Sequence, residues 1–308
     1  KDDIGNRQET EIYQRSGLTA YNNKRFFTYG PKKVLNRTLP KGKWKIEIYT
    51  QKYVDDFKYY GTYFDPCNKE AVKTFLECTY ERYNRILGDQ FGTSIFGMFS
   101  DETGMLGKLP WSVKLPEYFR KRNGYDICEV LPALHYTDQK ECYKIRYDYY
   151  QSIHELLRDS YHKQISQWCE KHGILYATEV PSMRRSTEMF SHVVGGDTSH
   201  EKVGRSLEWV LERYLANYRS CAQGISSVER QLGRSYAMVE SFHSVGWSMT
   251  IQDAKWMFDL MAAQGINFFN VHAFYYSIDS ITKHDAPPSF SKIHIGNIII
   301  FWGIMQVA

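Results

Sequence analysis

The sequence predicts an α/β fold, a TIM-type (β/α)8 barrel in which only six strands are recognisable. Three observations predict it. First, short apolar runs end abruptly in acids: Ser94 to Phe99 leads into Ser100, Asp101 and Glu102, and Tyr236 to Val239 leads into Glu240. A parallel strand covered by helices on both faces reads as continuously apolar. Acids at its C-terminal tip sit where barrel enzymes keep their active sites. Second, such runs alternate with helical stripes, which implies a parallel sheet. Third, no GxGxxG follows a strand and no glycine-rich loop ends in Lys-Ser or Lys-Thr, which counts against a nucleotide-binding doubly wound sheet.

Residues 1–43 are polar and carry turn signals at Tyr29-Gly30-Pro31 and Leu39-Pro40-Lys41-Gly42. They are assigned as a rim or linker segment. Trp44 to Tyr49 alternates and predicts the first strand. Asn68 is the N-cap expected for a helix whose stripe is Val72, Phe75, Leu76, Tyr80, Tyr83, Ile86 and Leu87, and Gly88 ends it. The strand around Phe96 follows. After Glu102, a Gly- and Pro-punctuated stretch to Ser112 is a loop. A short helix spans Pro116 to Arg122, stopped by Asn123-Gly124. A long one runs from about Cys142 to Lys171, with Ile145, Tyr149, Ile153, Leu156, Leu157, Ile165 and Trp168 on one stripe. Ile174 to Glu179 and His192 to Asp197 are strands. A helix from Ser206 to about Leu232 has a candidate break at Gly224. Then come the Glu240 strand, a helix capped by Thr250 and ended by Gly265, and a last strand from Ile266 to His272. The missing pair of strands is expected before this chain or within residues 1–43. The barrel is assigned to 44–290, and 291–308 forms an apolar tail.

The chain has 308 residues and a net charge of +4, with basic residues scattered among acids, so no nucleic-acid footprint is evident. The six cysteines form no CxxC and no zinc-like spacing with His, and are expected to be reduced thiols. The apolar tail Ile295 to Ala308 is about half the length a membrane span needs. No signal-like segment is visible, which tilts the expectation toward a cytoplasmic setting. The chain starts without Met inside a polar stretch, as a processed or truncated piece of a larger protein would.

Two strand-end acids on one rim are the minimum equipment for cleaving a glycosidic bond: one protonated carboxyl for the leaving oxygen and one carboxylate opposite. Glu102 and Glu240 are the candidate pair. Asp101 precedes Glu102, and successive strand residues point to opposite sides, so only one of the two faces the pocket. Glu179 is a third strand-end acid, able to bind a sugar hydroxyl or to serve as a structural rim acid. Asp197 and His200 follow the Gly195-Gly196 pair and are candidates for substrate or metal, and His272 ends the last strand. Trp111, Trp247 and Tyr276 are candidate stacking platforms for a sugar, although most aromatic rings simply pack. Ser241 and His243 lie near Glu240, but no GxSxG elbow exists for a serine hydrolase.

The motifs Phe96-Gly97-Met98-Phe99-Ser100-Asp101-Glu102, Leu115-Pro116-Glu117-Tyr118-Phe119, Arg122-Asn123-Gly124-Tyr125-Asp126 and Leu131-Pro132-Ala133-Leu134 occur in that order. Val239-Glu240-Ser241-Phe242, Gly246-Trp247-Ser248-Met249-Thr250, His272-Ala273-Phe274 and Asp285-Ala286-Pro287-Pro288-Ser289 follow. Together, over roughly 44–290, they resemble glycoside hydrolase family 106, the α-L-rhamnosidases with a (β/α)8 catalytic domain. The resemblance implies that the recognisable strands are three to eight, with Glu102 and Glu240 at the tips of four and seven. It implies Glu102 as general acid and Glu240 as general base of an inverting hydrolysis, with Ca2+ helping to hold the sugar although the chemistry itself needs no cofactor. The substrate would be a rhamnoside, as an oligo- or polysaccharide. Two other readings stay open: a retaining β-galactosidase-like enzyme using the same acids, and a catalytically silent carbohydrate-binding fragment.

Overall fold

The computed structural model describes residues 2–4, 9–14, 23–28, 33–35, 38–51, 64–101, 103–104, 109–136, 140–179, 185–197, 208, 222–242 and 249–272. Four short strands come first: β1 (Asp2–Ile4), β2 (Glu9–Gln14), β3 (Asn23–Thr28) and β4 (Lys33–Leu35). They form two antiparallel pairs, β1 with β4 and β2 with β3. The missing parallel strands are therefore not found among the described part of residues 1–43.

The body of the molecule is a curled parallel half-barrel of five strands: β5 (Gly97–Ser100), β6 (Leu175–Thr178), β7 (Val193–Asp197), β8 (Tyr236–Ser241) and β9 (Phe268–Val271). They are neighbours in chain order, all parallel. Helices connect them. Helix α1 (Lys69–Cys78) and α2 (Tyr80–Leu87) precede β5, and α3 (Leu115–Asn123), α4 (Glu141–Leu157) and α5 (Lys163–Lys171) lie between β5 and β6. Helix α6 (Ala222–Leu232) feeds β8, and α7 (Ile251–Ala263) feeds β9. Gly224 lies inside α6 and does not break it.

Local chemistry explains these boundaries. The Asn68 side chain accepts from the Glu70 amide at 3.3 Å and starts α1. Gly124 closes α3 with φ +82, a conformation that costs other residues a clash of Cβ with backbone. Thr250 and Asp253 form a reciprocal capping box at the start of α7. At Gly195 a Cβ would stand 2.1 Å from the Thr178 carbonyl oxygen, so only glycine lets β6 and β7 approach this closely.

Two apolar clusters hold the sheet. In the first, Val72, Leu115, Phe119, Tyr149, Leu157, Ile165 and Tyr176 join α1, α3, α4 and α5 to β6. In the second, Val194, Ala237 and Val239 meet Ile225 of α6 and Ala254, Met257 and Met261 of α7. Each large side chain so buried contributes about 1.5–3 kcal/mol relative to exposure. All five residues of β7 are buried, as befits the central strand.

The strand expected at Trp44 to Tyr49 is absent. That stretch has no regular structure, and Trp44, Ile46 and Ile48 are exposed. Alternation encodes an apolar face, but a strand also needs a hydrogen-bonding neighbour, and β5 pairs with β6 alone among the described residues. The long helix expected over 142–171 is present, with one π-turn at Arg158–His162 between α4 and α5.

Candidate active site

Parallel pairing brings the C-terminal strand ends to one rim. Ser100 lies opposite Thr178, Asp197 opposite Glu240, and Ser241 opposite Val271. The Glu179 amide donates to the Ser100 carbonyl at 2.9 Å, and the His272 amide donates to the Ser241 carbonyl at 2.9 Å. These bonds carry the ladder one residue beyond β6 and β9. Asp101, Glu179, Asp197, Glu240 and His272 therefore stand on five adjacent strand ends.

Three of these acids converge. Asp101, Glu179 and Glu240 each offer a carboxylate oxygen, and these oxygens lie within 4.8 Å of one another. Asp101 is exposed, Glu240 half-buried and Glu179 only 2% exposed. Burial drives the Glu179 pKa strongly upward. Its hydrogen bond to Glu240, and the charges of Glu240, Asp197 and Asp101, push the same way. Glu179 thus holds its proton at neutral pH, because a charge on this poorly solvated carboxyl, set among other acids, is too costly. Glu179 Oε2 has no hydrogen-bond partner among the described residues.

The chain turns sharply behind Glu240. Phe242 has φ +74, an outlier for a bulky residue, and is fully buried against the Phe258 ring at 4.9 Å. Core packing holds the strained residue in place, and strain of this kind clusters at functional sites. Asn267 braces the other end of the strand, accepting from the Ala237 amide at 2.8 Å and donating to the Ser235 carbonyl at 2.9 Å.

The candidate residues thus divide into three groups. The structure brings Asp101, Glu179 and Glu240 into one cluster, with Asp197 beside it and His272 on the next strand end. Glu102, His200, Trp247 and Tyr276 lie outside the described residues. Trp111 is half-buried and packs against the helical core cluster. A layer of hydroxyls behind the acids escaped sequence reasoning. Ser100, Thr178 and Ser241 are buried, and each is the chain neighbour of a rim acid: Asp101, Glu179 and Glu240. The signal was a small hydroxyl residue beside every strand-end acid.

A family model described as glycoside hydrolase 106, alpha-L-rhamnosidase, matches residues 33–285. The chain belongs to that glycoside hydrolase family. Among solved structures, the rhamnosidase from Novosphingobium sp. PP1Y aligns over 69% of this chain with a TM-score of 0.54 and 20% identity. The aligned part spans 21% of that chain, so this sequence corresponds to about a fifth of that protein. At that identity the match speaks to the fold. No curated protein sequence matches the chain significantly. The family match runs from β4 past the last strand of the half-barrel, and it includes every residue of the acid cluster.

Proposed function

We propose that this chain carries the catalytic acids of an inverting α-L-rhamnosidase. The observation that carries the reading is the convergence of Asp101, Glu179 and Glu240 on one barrel rim in a chain of this family. Glu240, half-buried and hydrogen-bonded through Glu179, is the general base that takes a proton from the attacking water. Glu102, next in sequence to Asp101, is the general acid that protonates the leaving oxygen. An inverting pair stands roughly 6.5–9.5 Å apart to admit that water. Glu179 is in hydrogen-bond contact with Glu240 and is too close to serve as its opposite number. Its role is to hold substrate. Asp197, His272, His200, Trp247 and Tyr276 complete the sugar-binding rim in this reading.

The acid cluster also suits a hard cation. Calcium takes oxygen ligands at about 2.3–2.6 Å, so two ligands on one ion are separated by no more than about 5 Å. The oxygens of Asp101, Glu179 and Glu240 meet that limit, and Glu179 keeps an unpartnered oxygen. Asp101 and Glu179, with one oxygen of Glu240, would hold Ca2+. The ion would supply positive charge that keeps these acids ionised and attracts sugar hydroxyls. Glu179 would release its proton on loading.

Turnover of a panel of aryl glycosides, rhamnoside first, with and without chelator, tests the reading. Release of β-rhamnose from an α-rhamnoside, seen by NMR before mutarotation, is the expected result. Release of the α-anomer identifies a retaining enzyme. Saturable sugar binding without turnover of any glycoside identifies a silent binding fragment.

A further inference from the structure

We infer that Tyr161 is a positioning residue for the rim acids, tethering the end of β5 through Ser100, the residue just before Asp101. The inference rests on the glycosidase reading above, but the tether itself is a matter of geometry.

Tyr161 is buried in the π-turn Arg158–His162, where the Lys163 amide donates to the Arg158 carbonyl, five residues back. Ser160, Tyr161 and His162 are all buried there. Single π-turns inside α-helices occur frequently at functional sites.

The Tyr161 hydroxyl lies 3.1 Å from Ser100 Oγ, on the residue just before Asp101. Ser100 is buried. The phenol therefore holds the strand end one residue before Asp101. Its ring is fixed in turn, 6.3 Å from Phe64, 6.1 Å from Phe75 and 5.2 Å from His162. Beside it in the core, His162 Nδ1 lies 2.9 Å from the Tyr176 hydroxyl. Buried hydrogen bonds of this kind rigidify what they touch.

β5 needs such a tether. It pairs with β6 alone among the described residues, so its end is held on one side by the sheet. A carboxyl misplaced by about 1 Å can cost a hundredfold in rate.

The test is Tyr161→Phe, which keeps the ring and removes the grip. Tyr125→Phe is the control, because it deletes a tyrosine hydroxyl bonded at 2.8 Å to Asp148, away from the rim acids. Two readouts are taken: amide hydrogen exchange by segment, and kcat and KM on an aryl α-L-rhamnoside. For Tyr161→Phe the expected result is faster exchange across residues 97–104, with residues 193–197 and 236–241 unchanged. With it goes a fall in kcat of about tenfold or more, KM staying within about twofold. Tyr125→Phe keeps wild-type kcat. Unchanged exchange across 97–104 overturns the tether, and loosened exchange with wild-type kcat overturns the positioning role. A wild-type chain that cleaves no glycoside, while the exchange difference persists, counts against the reaction assignment and leaves the tether standing.

Discussion

Two glutamates of this chain sit in opposite electrostatic settings. Glu155, on α4, meets Arg122 through two hydrogen bonds of 2.6 and 3.0 Å, and accepts also from Tyr118 and Gln151. Arg122 first, then Gln151 and Tyr118, hold its pKa down to about 2 against the cost of burial. Glu179, at the tip of β6, is more deeply buried and faces Glu240, Asp197 and Asp101. Its pKa moves up. A carboxylate that only ties helices together is compensated by the fold. One that is buried among like charges is kept for something the fold does not itself supply, such as a ligand, a cation or a reacting proton.

Substitutions should break this pair apart. The largest effect is expected at Glu102, the neighbour of Asp101. Glu102→Gln should lower kcat by about 10²–10⁴-fold on natural rhamnosides. Aryl rhamnosides with an acidic phenol leaving group should lose far less, because they need little protonation. Comparing the two substrate classes checks the assignment.

Glu179→Gln comes next. The native state keeps a proton that the unfolded state gives up near the ordinary value of 4.5. Stability contributed by this group therefore falls as pH rises above that value. The Gln variant should lose this slope and gain on the wild type as pH rises, read as melting temperature against pH without added metal. The same variant should bind Ca2+ at least about tenfold more weakly in calorimetry.

Glu155→Gln gives the mirror image with the smallest effect on rate. A depressed pKa adds stability that is present above about 4.5 and lost as pH falls toward about 2. The variant should be destabilised by about 1–3 kcal/mol at neutral pH, with little difference left in strong acid. Denaturant titration at several pH values checks this, and kcat should stay within about twofold of wild type.

Much of the fold was legible in the sequence. Apolar runs located β5 to β9 to within about three residues, and the caps Asn68 and Thr250 are where side-chain chemistry put them. Trp44 to Tyr49 misled because alternation reports a face and says nothing about a pairing neighbour. The π-turn was invisible because the apolar stripe from Ile145 to Trp168 continues across it. For the site, each rim acid could be read from its place at a strand end. The strain on Glu179 could not, because it depends on which strand ends become neighbours.

The most direct test compares turnover of an aryl α-L-rhamnoside, at saturating substrate, by the wild type, Glu240→Gln and Glu155→Gln. The account predicts that Glu240→Gln loses about 10²-fold or more in kcat while Glu155→Gln matches the wild type. Equal rates for Glu240→Gln and wild type, or an equal loss in both variants, would contradict it.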